Sequence, residues 1–154
     1  MIKESIMPNW CNNEVSIIAE NGEGQEEMKQ FIKDCFTEEE EGNEKPLLDF
    51  EKVIPYPDSA PPKYPQAINI KEQMKHPFAK WYNDFGYDWC IENWGTKWNA
   101  CEQVNVLGED EINLDFQTAW SPPQGIYDRI QTRLPNCSIS WFYREDGMQV
   151  SGWL

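Results

Sequence analysis

The chain has 154 residues, which is the usual size of one compact domain. It carries 27 acidic residues against 13 lysines and arginines, for a formal charge of -14, and this balance disfavours direct binding to phosphate backbones and anionic membranes. Aromatic residues make up 14% of the sequence, so the chain has the large apolar side chains that acidic disordered chains lack.

The cysteines and the hydropathy pattern indicate a cellular location. Five cysteines stand at irregular spacing without a Cys-x-x-Cys pair, which disfavours structural zinc and favours reduced thiols. No apolar stretch approaches the roughly 20 residues that span a bilayer, and none near the start has the length of a signal peptide. We therefore expect a cytoplasmic protein that has no membrane segment and binds no metal.

A strand and a helix are the first predicted elements. Residues 11–19 alternate between apolar and polar positions and run into an Asn-Gly turn, which is typical of a mostly buried strand. Within residues 25–36, apolar side chains recur at helical spacing and predict an amphipathic helix with a Glu-rich outer face. An acidic loop follows over residues 37–46. Residues 47–54 are then expected to form a second strand, which the following prolines end.

Residues 55–97 are predicted to be an irregular insertion. Five prolines stand between positions 55 and 65, a density that prevents a regular helix or a central strand. Pro77 suits the first turn of a helix, and aromatic side chains follow at helical spacing as far as Gly86. The insertion should therefore carry one short helix with an aromatic face.

The second half of the chain alternates more regularly. Residues 112–120 are apolar at every other position, and residues 98–107 are expected to pair with them through a four-residue hairpin loop. A helix is predicted over residues 123–133 from its apolar spacing. Residues 137–143 alternate again and lead into an Asp-Gly turn, so the chain should close in a second hairpin.

This order of elements predicts an α+β protein with a ferredoxin-like split βαβ sandwich, in which two main helices cover one face of an antiparallel sheet. The sandwich is expected to be a single domain over residues 7–154. Residues 1–6 would be an N-terminal extension. The acidic loop and the Pro-rich insertion with its short aromatic helix would be additions to the same domain.

Three motifs and a closing element resemble those of a known family. The motifs are Met-Pro-Asn-Trp-Cys-Asn-Asn at residues 7–13, Trp-Gly-Thr-Lys-Trp-Asn-Ala at 94–100 and Phe-Gln-Thr-Ala-Trp-Ser-Pro-Pro at 116–123, and the closing element is Tyr-x-Glu-x-Gly at 143–147. In these residues the chain is similar to the YubB-type ferredoxin-like proteins. The resemblance implies a plasmid or phage accessory protein, in the cytoplasm of a bacterial host cell, with no established catalytic activity.

No residue pattern predicts catalysis. The sole histidine, His76, stands before a proline in the insertion and has no motif around it, so a surface position is the better interpretation. Glu102, Asp115 and Glu145 are candidates for an acid/base pair across neighbouring strands, but outward carboxylates are expected in so acidic a chain. We expect no catalytic residues and no cofactor.

The leading hypothesis assigns an interaction role to the acidic residues, because carboxylates on a helix and a loop can imitate a phosphate array and occupy a basic groove. The partner would be a host defence nuclease or its nucleic-acid-binding subunit, inhibited in the manner of an anti-CRISPR or anti-restriction protein. The alternative interpretation is that the charge only keeps the protein soluble. The candidate partner-binding residues are Glu26, Glu27, Glu38, Glu39, Glu40 and Glu41.

A second hypothesis is a small nucleic-acid or nucleotide-binding module that stacks bases on a tryptophan-rich sheet surface. Its candidate residues are Trp94, Lys97 and Trp98. The competing interpretation, that these side chains pack in the core or anchor a loop, is favoured by the burial that large aromatic side chains usually have. The net charge makes direct binding of nucleic acid the less favoured function.

Overall fold

The computed structural model describes residues 9–38, 46–64 and 68–154. The predicted N-terminal extension, residues 1–6, lies outside this part of the chain, as does most of the acidic loop. The strands are β1 (Trp10–Ala19), β2 (Cys101–Leu107), β3 (Glu111–Ala119), β4 (Cys137–Glu145) and β5 (Val150–Trp153). The helices are α1 (Gly22–Cys35), α2 (Phe50–Val53), α3 (Ile70–Lys75), α4 (Pro77–Trp81), α5 (Tyr87–Asn93) and α6 (Gln124–Arg133), with a π-helical turn (Tyr82–Gly86) between α4 and α5. Among the residues described, no helix has the length and apolar character needed to cross a membrane.

The five strands of the described chain form one antiparallel sheet in the order β2-β3-β1-β4-β5. β1 lies at its centre, where Val15 is paired with Leu114 of β3 on one side and with Trp141 of β4 on the other. The chain order β1-α1-β2-β3-α6-β4 is that of a split βαβ fold, and β5 is added at the edge by a hairpin with β4. The predicted α+β class and ferredoxin-like fold are confirmed.

The two faces of the sheet differ in what covers them. Val15 and Ile17 of β1 are buried in one cluster with apolar side chains of the two long helices. Those helix side chains recur at helical spacing and are Met28, Phe31 and Cys35 of α1 and Ile126 and Ile130 of α6. Because successive side chains of a strand alternate between faces, Glu14 and its neighbours Asp115 of β3 and Phe142 of β4 point the other way, where the two carboxylates are exposed and Phe142 is half-buried. One face is therefore the core and the other is open.

Residues 47–54 do not form the predicted strand. They make a single one-residue bridge, and the chain then turns into α2, which is capped by the Asp49 carboxylate accepting a backbone hydrogen bond at 3.0 Å. The prediction is wrong here because Phe50 and Val53, both buried, stand three positions apart and have helical spacing. The second strand of the split βαβ fold is instead β2, so everything between α1 and β2 is inserted.

The aromatic helix of the insertion is longer than predicted. It begins at Pro77, as the sequence indicates, but Gly86 does not end it, because the backbone there is helical (φ -66°, ψ -34°). α4, the π-helical turn and α5 follow one another without a break as far as Asn93. β2 begins at Cys101, later than predicted, because residues 94–98 form a turn.

Candidate interaction surfaces

Trp94, one of the predicted stacking residues, lies in the core. Its side chain is 1% exposed, and its indole N–H donates to the Ile54 carbonyl oxygen at 2.9 Å. The ring packs against those of Phe50, Tyr56 and Trp89, with centroid separations of 5.3 to 5.8 Å. Trp94 therefore fills the space between the insertion and the sheet, and a base has no access to it.

Two of the family-like motifs meet immediately after Trp94. Gly95 has a φ of +90°, in the left-handed region that favours glycine. The Thr96 hydroxyl donates to the carbonyl oxygen of the last residue of β3 at 2.9 Å, and the Ser121 hydroxyl donates to the Gly95 carbonyl oxygen at 2.6 Å. The Gly125 N–H donates to the Trp94 carbonyl oxygen at 3.1 Å. The two motifs therefore lock the insertion to β3 and α6.

Lys97 and Trp98 do not form an exposed surface with Trp94. Lys97 is 5% exposed, and its ammonium nitrogen lies 4.1 Å from the centroid of the Trp98 ring and 5.7 Å from that of Tyr87. Trp98 is half-buried, with its ring centroid 6.1 Å from that of Trp10. This placement corrects the base-stacking hypothesis, because packing between the insertion and the sheet buries two of its three residues.

The predicted partner-binding carboxylates have different surroundings. Glu26 is exposed, with a carboxylate oxygen 3.6 Å from the Lys29 amine. Glu27 is half-buried and accepts hydrogen bonds from the backbone and side-chain N–H groups of Asn136 at 3.0 and 2.6 Å, so it ties α1 to the turn before β4. Glu39, Glu40 and Glu41 lie outside the residues that the structure describes. Of the other three, Glu26 and Glu38 are exposed.

An acidic surface that the sequence does not predict lies at one end of the sheet, and we call it the acidic end. There the hairpin between β2 and β3 meets the start of α1: the Ala19 N–H donates to the Asp110 carbonyl oxygen at 2.9 Å, and the Gln25 amide is hydrogen-bonded to the Asp110 carboxylate. The two segments bring together five exposed carboxylates, those of Glu20, Glu23, Glu109, Asp110 and Glu111. No lysine or arginine of the described chain forms an ion pair with any of these five.

The candidate acid/base carboxylates lie on opposite sides of the sheet. Glu145 is 3% exposed on the core side, where it accepts hydrogen bonds from the N–H groups of Gly147 and Met148 at 2.9 and 2.7 Å. It therefore holds the turn of the final hairpin. Asp115 is exposed on the open face, and Glu102 is exposed at a bulge in β2 with a φ of 49°. The sheet separates Glu145 from Asp115, so these two carboxylates do not form an acid/base pair.

The other reactive side chains also have structural surroundings. His76 caps α4, because its Nδ1 accepts a hydrogen bond from the Phe78 N–H at 3.1 Å. Burial raises the pKa of all five thiols, so they stay protonated at neutral pH and are weak nucleophiles. These thiols belong to Cys11, Cys35, Cys90, Cys101 and Cys137. Within the described ranges, no three or more His, Cys, Asp or Glu side chains are grouped to hold a metal ion.

The Cys90 thiol gives a pH-dependent prediction. Burial raises its pKa from 9.0 to about 12, so its contribution to stability is complete below pH 9 and is lost as the pH rises toward the folded-state pKa. Between pH 8 and pH 10, the wild type should lose about 1.4 kcal/mol of unfolding free energy relative to Cys90→Ala, which has no thiol to ionise when unfolded. Urea unfolding of both proteins at the two pH values checks this. A pH-independent difference between them would place the Cys90 sulfur in contact with solvent.

A split βαβ sheet with both long helices on one face, extended by one edge strand, defines a ferredoxin-like protein. Residues 93–153 match the family model described as the ferredoxin-like domain in Api92-like protein. This part of the chain, from the end of α5 to the end of β5, is similar to that family. The predicted resemblance to the YubB-type ferredoxin-like family is confirmed.

The chain is similar to a protein of Escherichia coli (strain K12) that is described as uncharacterized protein YubB, with 30% identity over 69 residues. The matched segment covers 44% of this chain and 48% of that protein, so the chain spans about half the length of this curated relative. No solved structure matches the chain. Neither the family description nor the relative's description names a reaction, a ligand or a partner.

Proposed function

We propose that the protein is a non-catalytic binding protein of a phage or plasmid that inhibits a host defence protein by occupying its basic nucleic-acid groove. The partner would be the nuclease of a CRISPR or restriction system, or the subunit of such a system that binds nucleic acid. The proposed origin in a mobile element rests on the resemblance of the sequence motifs to YubB-type proteins, which implies a plasmid or phage accessory protein. The formal charge of -14 supports a basic partner.

The acidic end is the structural feature that most directly supports this proposal. Its five exposed carboxylates come from two segments, and none is paired with a basic side chain of the described chain. Charges held together at the end of a sheet attract a basic groove, accelerate the encounter and select the partner. The same field repels DNA and RNA, which supports a protein rather than a nucleic acid as the ligand.

Glu26 and the carboxylates of Glu38–Glu41 are proposed to enlarge this surface. Glu26 stands one turn after Glu23 on α1, so the two share a face of the helix. Glu38 follows the other end of α1, about 20 Å away at the rise of an α-helix. The two groups of carboxylates are far enough apart to be tested separately.

A protection assay tests the proposed function. Bacteria with an active CRISPR or restriction system would express the protein and be challenged with phage, and wild-type protein should raise the efficiency of plating. An acidic-end variant removes five charges, with Gln at Glu20, Glu23, Glu109 and Glu111 and Asn at Asp110. It should bind the defence protein at least about tenfold more weakly and lose protection accordingly.

Two further variants locate the effect. A control removes five exposed carboxylates elsewhere, at Asp58, Glu72, Asp88, Glu92 and Asp128, and should protect like the wild type because it has the same net charge as the acidic-end variant. Gln at Glu38–Glu41 should also weaken protection, and full protection by this variant would remove the loop from the binding surface. Loss of protection in the control alone would contradict the assignment to the acidic end. Absence of protection by the wild type against both kinds of system would contradict the proposed function.

A further inference from the structure

The open face of the sheet is a trough with apolar walls, which we call the sheet trough. Val104 and Val106 of β2 form one wall and are 69% and 57% exposed. Phe142 of β4 and Trp153 of β5 form the other wall, with ring centroids 5.1 Å apart and Trp153 69% exposed. Large apolar side chains that share an exposed face mark a surface that another molecule covers.

The floor of the trough, between the two apolar walls, is formed by polar and acidic side chains. One row of paired residues crosses it from wall to wall and consists of Val104, Asp115, Glu14, Phe142 and Trp153. The adjacent row consists of Val106, Asn113, Ser16 and Ser140. In the first row, Glu14 and Asp115 face each other directly on neighbouring strands, where like charges repel. The floor therefore combines short polar side chains with two opposed carboxylates.

The dimensions of the trough fit an α-helix. β2 and β4 are three strand spacings apart, a distance of about 14 Å. A helix with its side chains is about 10–12 Å wide. The space above the floor has a volume of about 460 Å³, and the short side chains below leave room for a helix to lie along the strands between the two walls.

Charge decides which occupant suits the trough. None of the ion pairs in the described chain involves Glu14 or Asp115, and Arg144 on the same face is paired with Asp146 at 2.8 Å. A second copy of the chain would place its own Glu14 and Asp115 near those of the first, and the like charges would repel. The phosphates of a nucleic acid would be repelled by the same two carboxylates. A basic segment would relieve the repulsion between the two carboxylates, since an arginine guanidinium can bond to both.

We infer that the sheet trough binds an amphipathic α-helix of a partner protein. One or two arginines or lysines of that helix lie over Glu14 and Asp115, and apolar side chains three or four positions away pack against Val104 and Trp153. This inference goes beyond the proposed function, because it concerns a separate set of residues and requires neither a nuclease nor the acidic end.

Synthetic helical peptides of about 20 residues, long enough to form a helix alone, provide the probes. The first has a stripe of arginines one heptad apart, flanked by leucines three and four positions away, on an Ala/Gln background. The second carries Glu in place of each Arg, and the third has the first composition in scrambled order. Fluorescence anisotropy with the full chain should show that the arginine peptide binds at least about tenfold more tightly than the other two. When the arginine peptide is titrated into the full chain, the backbone amides whose NMR chemical shifts change should lie in β2, β4 and β5.

Variants of the chain decide the site. Trp153→Ala, and separately Glu14→Gln with Asp115→Asn, should each weaken binding of the arginine peptide at least about tenfold. Phe85→Ala removes an aromatic side chain that is 67% exposed in the insertion and should leave binding unchanged. Circular dichroism melts confirm that each variant is folded.

Three results would overturn the inference. The first is equal binding of the arginine and Glu peptides, and the second is full binding by both trough variants. The third is a wild-type dimer in sedimentation that Trp153→Ala dissociates, which would make a second copy the occupant. Because no nuclease is present in these experiments, the inference can fail while the protection assay succeeds, and the reverse also holds.

Discussion

Trp94→Ala is expected to lower the free energy of unfolding by about 3–5 kcal/mol. The side chain is 1% exposed, and its removal leaves a cavity among Phe50, Tyr56 and Trp89 and an unpaired carbonyl oxygen at Ile54. Urea unfolding followed by circular dichroism measures the change, with the slope of the transition checked for two-state behaviour.

Trp153→Ala is the matched control for this experiment. It removes the same side chain from a position that is 69% exposed at the sheet edge, so its effect on the unfolding free energy should stay below about 1 kcal/mol. A loss below about 1 kcal/mol for Trp94→Ala as well would contradict its burial and would restore the base-stacking hypothesis for that residue.

Gly125→Ala is expected to destabilise the protein by about 3 kcal/mol, although alanine is the better helix former. A Cβ at this position in the first turn of α6 would overlap the carbonyl oxygen of Asn93 and approach the Trp94 backbone. The atoms in the way are backbone atoms of Asn93 and Trp94, which cannot rotate aside as a side chain can. The helix α6 therefore has to shift, and the hydrogen bond from the Gly125 N–H to the Trp94 carbonyl oxygen is lost.

Gly22→Ala separates this steric effect from helix propensity. Gly22 is the first residue of α1, and a Cβ there would meet nothing within 4 Å. The substitution should therefore be neutral or stabilise by up to about 1 kcal/mol. If Gly125→Ala were as stable as Gly22→Ala in the same urea titration, the contact between α6 and the Trp94 turn would be absent in solution.

The central strands were predictable because each has one buried and one exposed face. β1 and β3 alternate over most of their length, and a one-residue slip would move every apolar side chain out of the core. Residues 47–54 are predicted as a strand because the stretch is short, and a short apolar run does not distinguish a strand from a helix. In the folded chain, the Asp49 cap and the contacts of Phe50 with Trp94 and Phe116 stabilise the helix α2.

The surfaces were less predictable than the fold, for a physical reason. Charge density along the sequence predicts an acidic surface at residues 37–46. The acidic end instead contains a hydrogen bond between Gln25 and Asp110, which stand 85 positions apart in the sequence. Such a surface follows from the register of β1 with β3, which places Ile18 beside Glu111. The pairing of Glu14 with Asp115 depends on the same register. Strand alternation predicts that these side chains face outward, but not which of them are neighbours.

The Trp-Gly-Thr-Lys-Trp motif shows how a distinctive sequence can serve the fold. Tryptophan and lysine together suggest base stacking, but the hydroxyls of Thr96 and Ser121 hold this turn against its neighbours and bury Trp94 and Lys97. A glycine after a tryptophan is a local sequence signal of a tight turn, and at Gly95 the backbone adopts the left-handed conformation that glycine favours. The sequence contains that signal, although it does not say what the turn packs against.

The proposed function requires the acidic end to bind a basic protein. Tagged wild-type protein and the acidic-end variant would be isolated side by side from bacteria that carry the defence system, after nuclease digestion, and their bound proteins quantified by mass spectrometry. We predict one stoichiometric protein with a basic nucleic-acid groove on the wild type, depleted at least about tenfold on the variant. Recovery of DNA or RNA without a stoichiometric protein, or equal capture of the same protein by the variant, would contradict the claim.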